Sequence, residues 1–156
     1  MKIIAHRANI GGPSNNNENR ICSIKNCISL GFDVEIDIRM IDKELYLGHD
    51  FGENIINIRE LKNIKNNLWI HCKNIESITF FNEIDEDFNY FWHEDDSYTL
   101  TSKGFIWAFP GEALSNRCIC VMPELQHSLN DLKSIKSANL AAVSYTHLRA
   151  HETNSN

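Results

Sequence analysis

The strictest pattern in the chain lies over Phe32–Met40. Apolar Phe32, Val34, Ile36 and Ile38 alternate with polar Asp33, Glu35, Asp37 and Arg39. A period of two places the two sets on opposite faces of a β-strand. Ahead of it, Ile21, Ile24 and Ile28 recur at helical spacing. That spacing predicts a helix over Asn19–Leu30, with Gly31 just past its end. Lys2–Arg7 is a short apolar run closing on polar residues and predicts a buried strand. The Gly-, Pro- and Asn-rich stretch Ala8–Asn17 predicts a loop. Leu45–Gly48 and Leu68–Lys73 read as strands, Ile58–Lys65 and Ile75–Asn82 as helices. Asn89–His93, Tyr98–Thr101, Phe105–Phe109 and Arg117–Met122 are further strands. Leu125, Leu129, Leu132 and Ile135 mark a helix, and Asn139–Val143 begins another strand.

Strands separated by crossovers predict a parallel sheet. Seven or so of them, with an eighth starting, predict an α/β fold of compact TIM-type (β/α) barrel form. A chain of 156 residues is short for it, and the crossover around Ser97–Lys103 leaves no room for a helix. Ala142–Thr153 reads AVSYTHLRAHET, which resembles an in-frame translation of a sequencing adapter; a genuine helical tail is the competing reading. The expected organisation is an incomplete barrel domain over residues 1–141, truncated before its last strand and helix. Residues 142–156 are expected to be a non-native tail in which His147, Arg149 and His151 carry no function.

Composition narrows the partners. Hydrophobic residues at 42% and charged residues at 23% are those of a folded domain, not a disordered chain. The net charge of −6 argues against nucleic acid or an anionic membrane surface as a passive electrostatic partner. No apolar run approaches the ~20 residues of a membrane span, and the apolar stretch in MKIIAHRANIGG is too short for a signal peptide. Cys22, Cys27, Cys72, Cys118 and Cys120 contain no C-x-x-C pair, so unpaired thiols in a reducing, cytoplasmic setting are expected. A small anionic substrate remains compatible with the charge if a cation or a local basic group receives it.

The candidate chemistry sits at strand ends. Glu35 and Asp37 lie two residues apart on one strand face, so their carboxylates are neighbours. In a dry site they repel each other and are costly to desolvate, penalties that a divalent cation removes. A solvated face paired with Arg39 and nearby lysines is the competing reading. His6 and Arg7 end the first strand, His49 and Asp50 the short strand after the acidic one. His71 and Lys73 share a face of the next strand, and His93 ends the one after. On a parallel barrel these ends share one rim, where active sites of that fold sit.

The segments Ile4-Ala5-His6-Arg7, Glu18-Asn19, Gly31 through Asp37 and Leu47-Gly48-His49-Asp50 together resemble the glycerophosphodiester phosphodiesterase family, one of the phospholipase-C-like phosphodiesterase barrels. The likeness covers Ile3–Phe51; beyond it Trp69–Lys73 is a looser match to the family's third strand. The resemblance implies a metal-dependent phosphodiester hydrolase. It implies His6 and His49 as the general acid and base, Arg7 as a phosphate-binding guanidinium, and Glu35 and Asp37 as metal ligands. Glu18 corresponds to the active-site glutamate after the first loop, although a helix-start acid is an equal alternative. Lys73 corresponds to a lysine reaching the phosphate. The implied partner is a small phosphodiester, cleaved through attack of a substrate hydroxyl on phosphorus, and the implied cofactor is a divalent cation, Ca²⁺ or Mg²⁺ foremost, with Mn²⁺ or Zn²⁺ as alternatives.

The chain departs from the pattern at two positions of consequence. Ala8 stands where the family has glycine, on a backbone expected to need positive φ. His71 stands where the third ligand is a glutamate, and imidazole suits Ca²⁺ poorly; Glu124, His93, Glu94 and Asp95 are the other candidates near that position. The rival functional reading is a non-catalytic module that binds a phosphorylated ligand or a protein through a decayed metal site; an inactive truncated fragment is a third. The aromatic stretch Phe80–Trp92 is expected to be core, Glu83–Asp87 a solvated loop, and Cys118 and Cys120 small buried hydrophobes.

Overall fold

The long alternating strand organises the molecule. In the computed structural model, which describes residues 2–125 and 140–143, it becomes β2 (Asp33–Ile41) and pairs with three other strands. It lies parallel to β1 (Lys2–Ala5) on one side and to β5 (Leu68–Cys72) on the other. Its C-terminal half also pairs with antiparallel β3 (Glu44–Leu47), followed by β4 (Asn54–Ile56). The tight β2–β3 turn takes positive φ at Asp42 and Lys43, the twist that favours two-residue hairpins.

The sheet continues from β1 through β10 (Leu140–Val143), β9 (Cys118–Val121) and β8 (Ile106–Ala108), all parallel, to antiparallel β7 (Tyr98–Leu100). At the other end β5 carries β6 (Tyr90–Phe91). The described residues contain three α-helices: α1 (Ile21–Ser29), α2 (Ile58–Ile64) and α3 (Ile75–Glu83).

This overturns the expected TIM-type barrel. The architecture is a mixed, ten-stranded half-barrel sheet with few and short helices. The physical reason lies in the connections. A βα repeat needs a helix in every crossover, but residues 92–97 and 109–117 form no helix, and three pairs of consecutive strands, β2–β3, β3–β4 and β7–β8, are antiparallel. The predicted elements otherwise recur within a few residues of their expected bounds, except β4, for which no element is predicted, and β6, which shrinks to two residues. The predicted helix over Leu125–Ile135 lies outside the described residues apart from a 3₁₀ turn at Pro123–Leu125. Residues 144–156, with His147, Arg149 and His151, also lie outside them. β10 runs through Ala141 and Ala142, the expected junction of native and non-native sequence, and both are buried.

Local chemistry sets the helix ends. Past α1 the Phe32 amide donates to the Cys27 carbonyl and the Gly31 amide to that of Ile28, at 3.1 and 2.9 Å. This is a Schellman motif, and Gly31 supplies its left-handed residue at φ 87°. Asn57 caps α2 by accepting from the Arg59 amide, and Asn74 forms a capping box with Ser77 at the start of α3. Asn74 also exchanges hydrogen bonds with the backbone of Met40, which ties the end of β5 to β2.

Two apolar layers result. Val34, Ile36 and Ile38 pack outward with Ile70 against Ile24 and Cys27 of α1, Leu61 of α2 and Phe81 of α3. Inside the curve, Ile4, Trp69, Phe91, Trp107, Ile119, Val121 and Ala142 form a second cluster drawn from six strands. The acidic face of β2 points to this inner side. Among the described residues no helix is long and apolar enough to cross a membrane, and none of the five cysteines forms a disulfide.

Candidate functional site

Register explains the convergence. The β2–β5 pairing sets Asp37 opposite His71 and Glu35 opposite Trp69. The β1–β2 pairing sets Ala5 opposite Val34, so His6 follows at the level of Glu35. These rows stack above the inner apolar cluster, and a cavity of about 280 Å³ opens over them. His6, Arg7, Glu35, Asp37, His49, His71 and Lys73 all line it. Glu18 stands behind them, 3.7 Å from Arg7 Nη1.

Glu35 and Asp37 are each 1% exposed, which excludes the solvated-face reading. Removing two like charges from water costs several kcal/mol per ion unless partners compensate. Compensation is uneven. The Asn19 side chain donates to Asp37 Oδ2 and accepts from the Asp37 amide, both at 2.9 Å. His71 Nδ1 lies 3.1 Å from Asp37 Oδ1, and Arg7 Nε lies 3.6 Å from Oδ2. Burial alone would raise the Asp37 pKa; His71, Arg7 and Asn19 outweigh it and hold the carboxyl well below the usual range. Glu35 receives one backbone hydrogen bond, from the Arg7 amide to Oε2 at 2.9 Å. Burial, then the charge of Asp37, pushes its pKa well above the ordinary value.

Glu35, Asp37 and His71 present ligand atoms within 4.8 Å of one another. His71 is oriented for that role. Its Nε2 lies 3.2 Å from the carbonyl oxygen of His93, which can only accept, so Nε2 carries the hydrogen. Nδ1 then faces both carboxylates, 3.1 Å from Asp37 and 4.0 Å from Glu35. Either Nδ1 bears a second proton and donates to Asp37, or its lone pair meets a cation that all three groups share. A ring N–H anchored on a backbone carbonyl is the usual outer support of a metal-bound histidine. The donor set fits a divalent cation.

The first strand end is bent to reach this cluster. Arg7 and Ala8 take left-handed φ values of 53° and 60°, a conformation that costs an L-residue about 1–2 kcal/mol. The turn brings His6 Nε2 to 3.8 Å from Glu35 and aims the Arg7 amide at the same carboxylate. Burial, then the neighbouring Arg7, lowers the His6 pKa to about 3, so the ring is neutral.

His49 sits on a loop that only glycine permits. A Cβ on Gly48, at φ 149°, would lie 1.9 Å from the Phe51 carbonyl oxygen. The Gly48 amide donates to the Asp37 carbonyl at 3.1 Å, which fixes the loop to β2. The His49 Nδ1 lies 2.7 Å from Asp50 Oδ1.

Two residues with no role assigned from sequence position the rest. Asn19, buried with φ 52°, clamps Asp37; its neighbourhood in Glu18-Asn19 and the tolerance of asparagine for left-handed backbone were the available signals. Arg39 donates to the carbonyls of His49 at 2.7 Å and Lys73 at 3.3 Å, joining the loops that carry them. Of the other ligand candidates, His93 and Glu94 line the cavity and Asp95 does not, its place on the wall being taken by Asp96, which the sequence did not single out. The Glu124 side chain lies outside the described set. No protein-family model, no curated protein and no solved structure matches the chain.

Proposed function

We propose that the cavity is the active site of a divalent-cation-dependent phosphodiester hydrolase whose substrates are small glycerophosphodiesters. One observation carries the reading: the imidazoles of His6 and His49, a guanidinium and an ammonium line the same cavity as three metal-type donors. The volume suits a phosphate with small alcohol substituents.

Glu35, Asp37 and His71 would hold the cation, which supplies charge neutralisation for the non-bridging phosphoryl oxygens. Arg7 and Lys73 add positive charge on the cavity wall and orient the phosphate, the planar guanidinium suiting two oxygens at once. His6, kept neutral by burial, takes the proton of a substrate hydroxyl as that oxygen attacks phosphorus. His49 gives a proton to the departing alkoxide, and Asp50 holds its ring through Nδ1. The products are a free alcohol and a cyclic phosphate, which water opens with the same two groups in exchanged roles.

The test uses a glycerol phosphate p-nitrophenyl ester, which carries the internal hydroxyl and releases a coloured alcohol. Turnover is expected only with added divalent cation. His6→Ala is expected to lower kcat on this ester by 10²–10⁴, and His49→Ala to do so on glycerophosphodiesters with an alkyl leaving group, whose alkoxide, unlike p-nitrophenolate, needs a proton to depart. Cation binding with no turnover on any glycerophosphodiester would replace the hydrolase with a binding module. Turnover indifferent to both substitutions would remove the acid–base assignment.

A further inference from the structure

We infer that the Glu35–Asp37–His71 site selects a first-row transition ion, such as Mn²⁺ or Zn²⁺, over Ca²⁺ and Mg²⁺. The inference rests on the reading of this cluster as a cation site and adds the class of ion that it takes. Ca²⁺ seeks six to eight oxygen ligands, and Mg²⁺ seeks oxygens or waters in near-ideal octahedral geometry. An imidazole in the ligand set favours the softer first-row ions.

The imidazole cannot be dismissed as a bystander that swings aside. The His71 ring is buried and near-parallel to two neighbours, Phe91 at 5.0 Å and 7° and His93 at 4.5 Å and 6°, whose own centroids lie 6.0 Å apart. Its Nε2 is tied to the His93 carbonyl. Rotation about χ would break that bond and displace both stacks. The only ring atom left to face the carboxylates is Nδ1, so any cation placed among the three groups meets a nitrogen. The carboxylates are equally constrained. The Arg7 amide holds Glu35 Oε2, leaving Oε1 on the His71 side, and Asn19 holds Asp37 Oδ2, leaving Oδ1 on the same side. The preorganised inner set is therefore one nitrogen and one oxygen from each acid, with no third protein carboxylate in the cluster among the described residues. His93 acts as a positioning residue through its backbone oxygen and ring.

The experiment is direct binding of Mn²⁺, Zn²⁺, Ca²⁺ and Mg²⁺, each alone, to the full chain by calorimetry, with Mn²⁺ also followed by electron spin resonance. Mn²⁺ and Zn²⁺ are expected to bind at least tenfold more tightly than Ca²⁺ and Mg²⁺. Bound Mn²⁺ is expected to show coupling to one imidazole nitrogen, and that coupling is expected to vanish in His71→Glu. His71→Glu, which keeps a ligand while replacing nitrogen by oxygen, is expected to narrow or reverse the preference. Ca²⁺ binding as tightly as Mn²⁺ in the parent, with both lost in Asp37→Asn, would overturn the selectivity and leave the cation site standing. An unchanged order of affinities in a folded His71→Glu would also overturn it. No binding of any of the four ions would overturn the cation site itself, and the selectivity with it.

Discussion

Asp33 and the pair Glu35–Asp37 share one face of one strand, yet the fold treats them in opposite ways. Asp33 is buried and amply paired: Lys2 Nζ lies 2.7 Å away, and Asn67 and the Trp69 indole each donate at 3.1 Å. Its partners are donors that a static network supplies, and it lies outside the cavity lining. Two residues on, Glu35 and Asp37 crowd each other, share Arg7, and face a histidine whose other nitrogen is occupied. A buried acid with matched donors holds the structure together. A buried pair short of positive charge costs stability, and folds retain such pairs where a ligand supplies what is missing.

The contrast predicts divergent outcomes for substitutions on the same face. Asp33→Ala leaves the Trp69 and Asn67 donors unpaired and is expected to lower stability by about 3 kcal/mol in urea unfolding, while Mn²⁺ affinity of the folded fraction stays unchanged. Glu35→Gln should do the reverse: the metal-free protein gains stability because a desolvated repulsion is removed, and cation affinity falls more than 100-fold. Equal stability losses for both substitutions would erase the distinction.

The supporting residues sharpen it. Asn19→Ala removes both anchors of Asp37 and is expected to reduce cation affinity 10- to 100-fold, in the range of lost outer supports. Arg39→Ala loosens the loops bearing His49 and Lys73 but touches neither acid. It is expected to lower kcat about tenfold with cation affinity intact, which separates placement of the acid–base group from binding of the ion.

Protonation gives a further handle. His6 has a folded pKa of about 3 against 6.5 when unfolded, so the unfolded state binds the extra proton between those values. Stability is therefore complete above pH 6.5 and declines as pH falls toward 3. Glu35, with its pKa raised by burial and by Asp37, works with the opposite sign: the folded state binds its proton, and metal-free stability declines as pH rises through the folded value. Chemical denaturation across pH is expected to show a shallower decline with falling pH in His6→Gln and a shallower decline with rising pH in Glu35→Gln. The smallest effect belongs to Ala8→Gly, expected to stabilise by up to about 1 kcal/mol by relieving the left-handed turn at φ 60°.

How much of this could be read from the residues follows from which interactions are local. Period-two alternation in Phe32–Met40 and helical spacing of Ile21, Ile24 and Ile28 are local signals, and β2 and α1 follow them. The strand-end histidines and acids were likewise visible, because each stands beside its own apolar run. Architecture was not. Counting strands suggested a helical barrel, whereas the sheet contains three antiparallel pairs of consecutive strands and helix-free connections that no periodicity encodes. The clamp by Asn19 and the bridge by Arg39 were also hidden. The first needs a left-handed backbone at Asn19 beside β2, and the second needs two loops, 24 residues apart at His49 and Lys73, brought over one guanidinium. The burial of Glu35 and Asp37 was left open by the alternation, since a period of two separates faces without saying which is dry.

The central claim is that Glu35, Asp37 and His71 share one cation, and crystals soaked in Mn²⁺ test it most directly through anomalous difference density. The account predicts a single strong peak among these three side chains, absent in Asp37→Asn. A saturating soak that leaves this place featureless, or puts its only peak at the exposed acids Glu94 and Asp96, would contradict it.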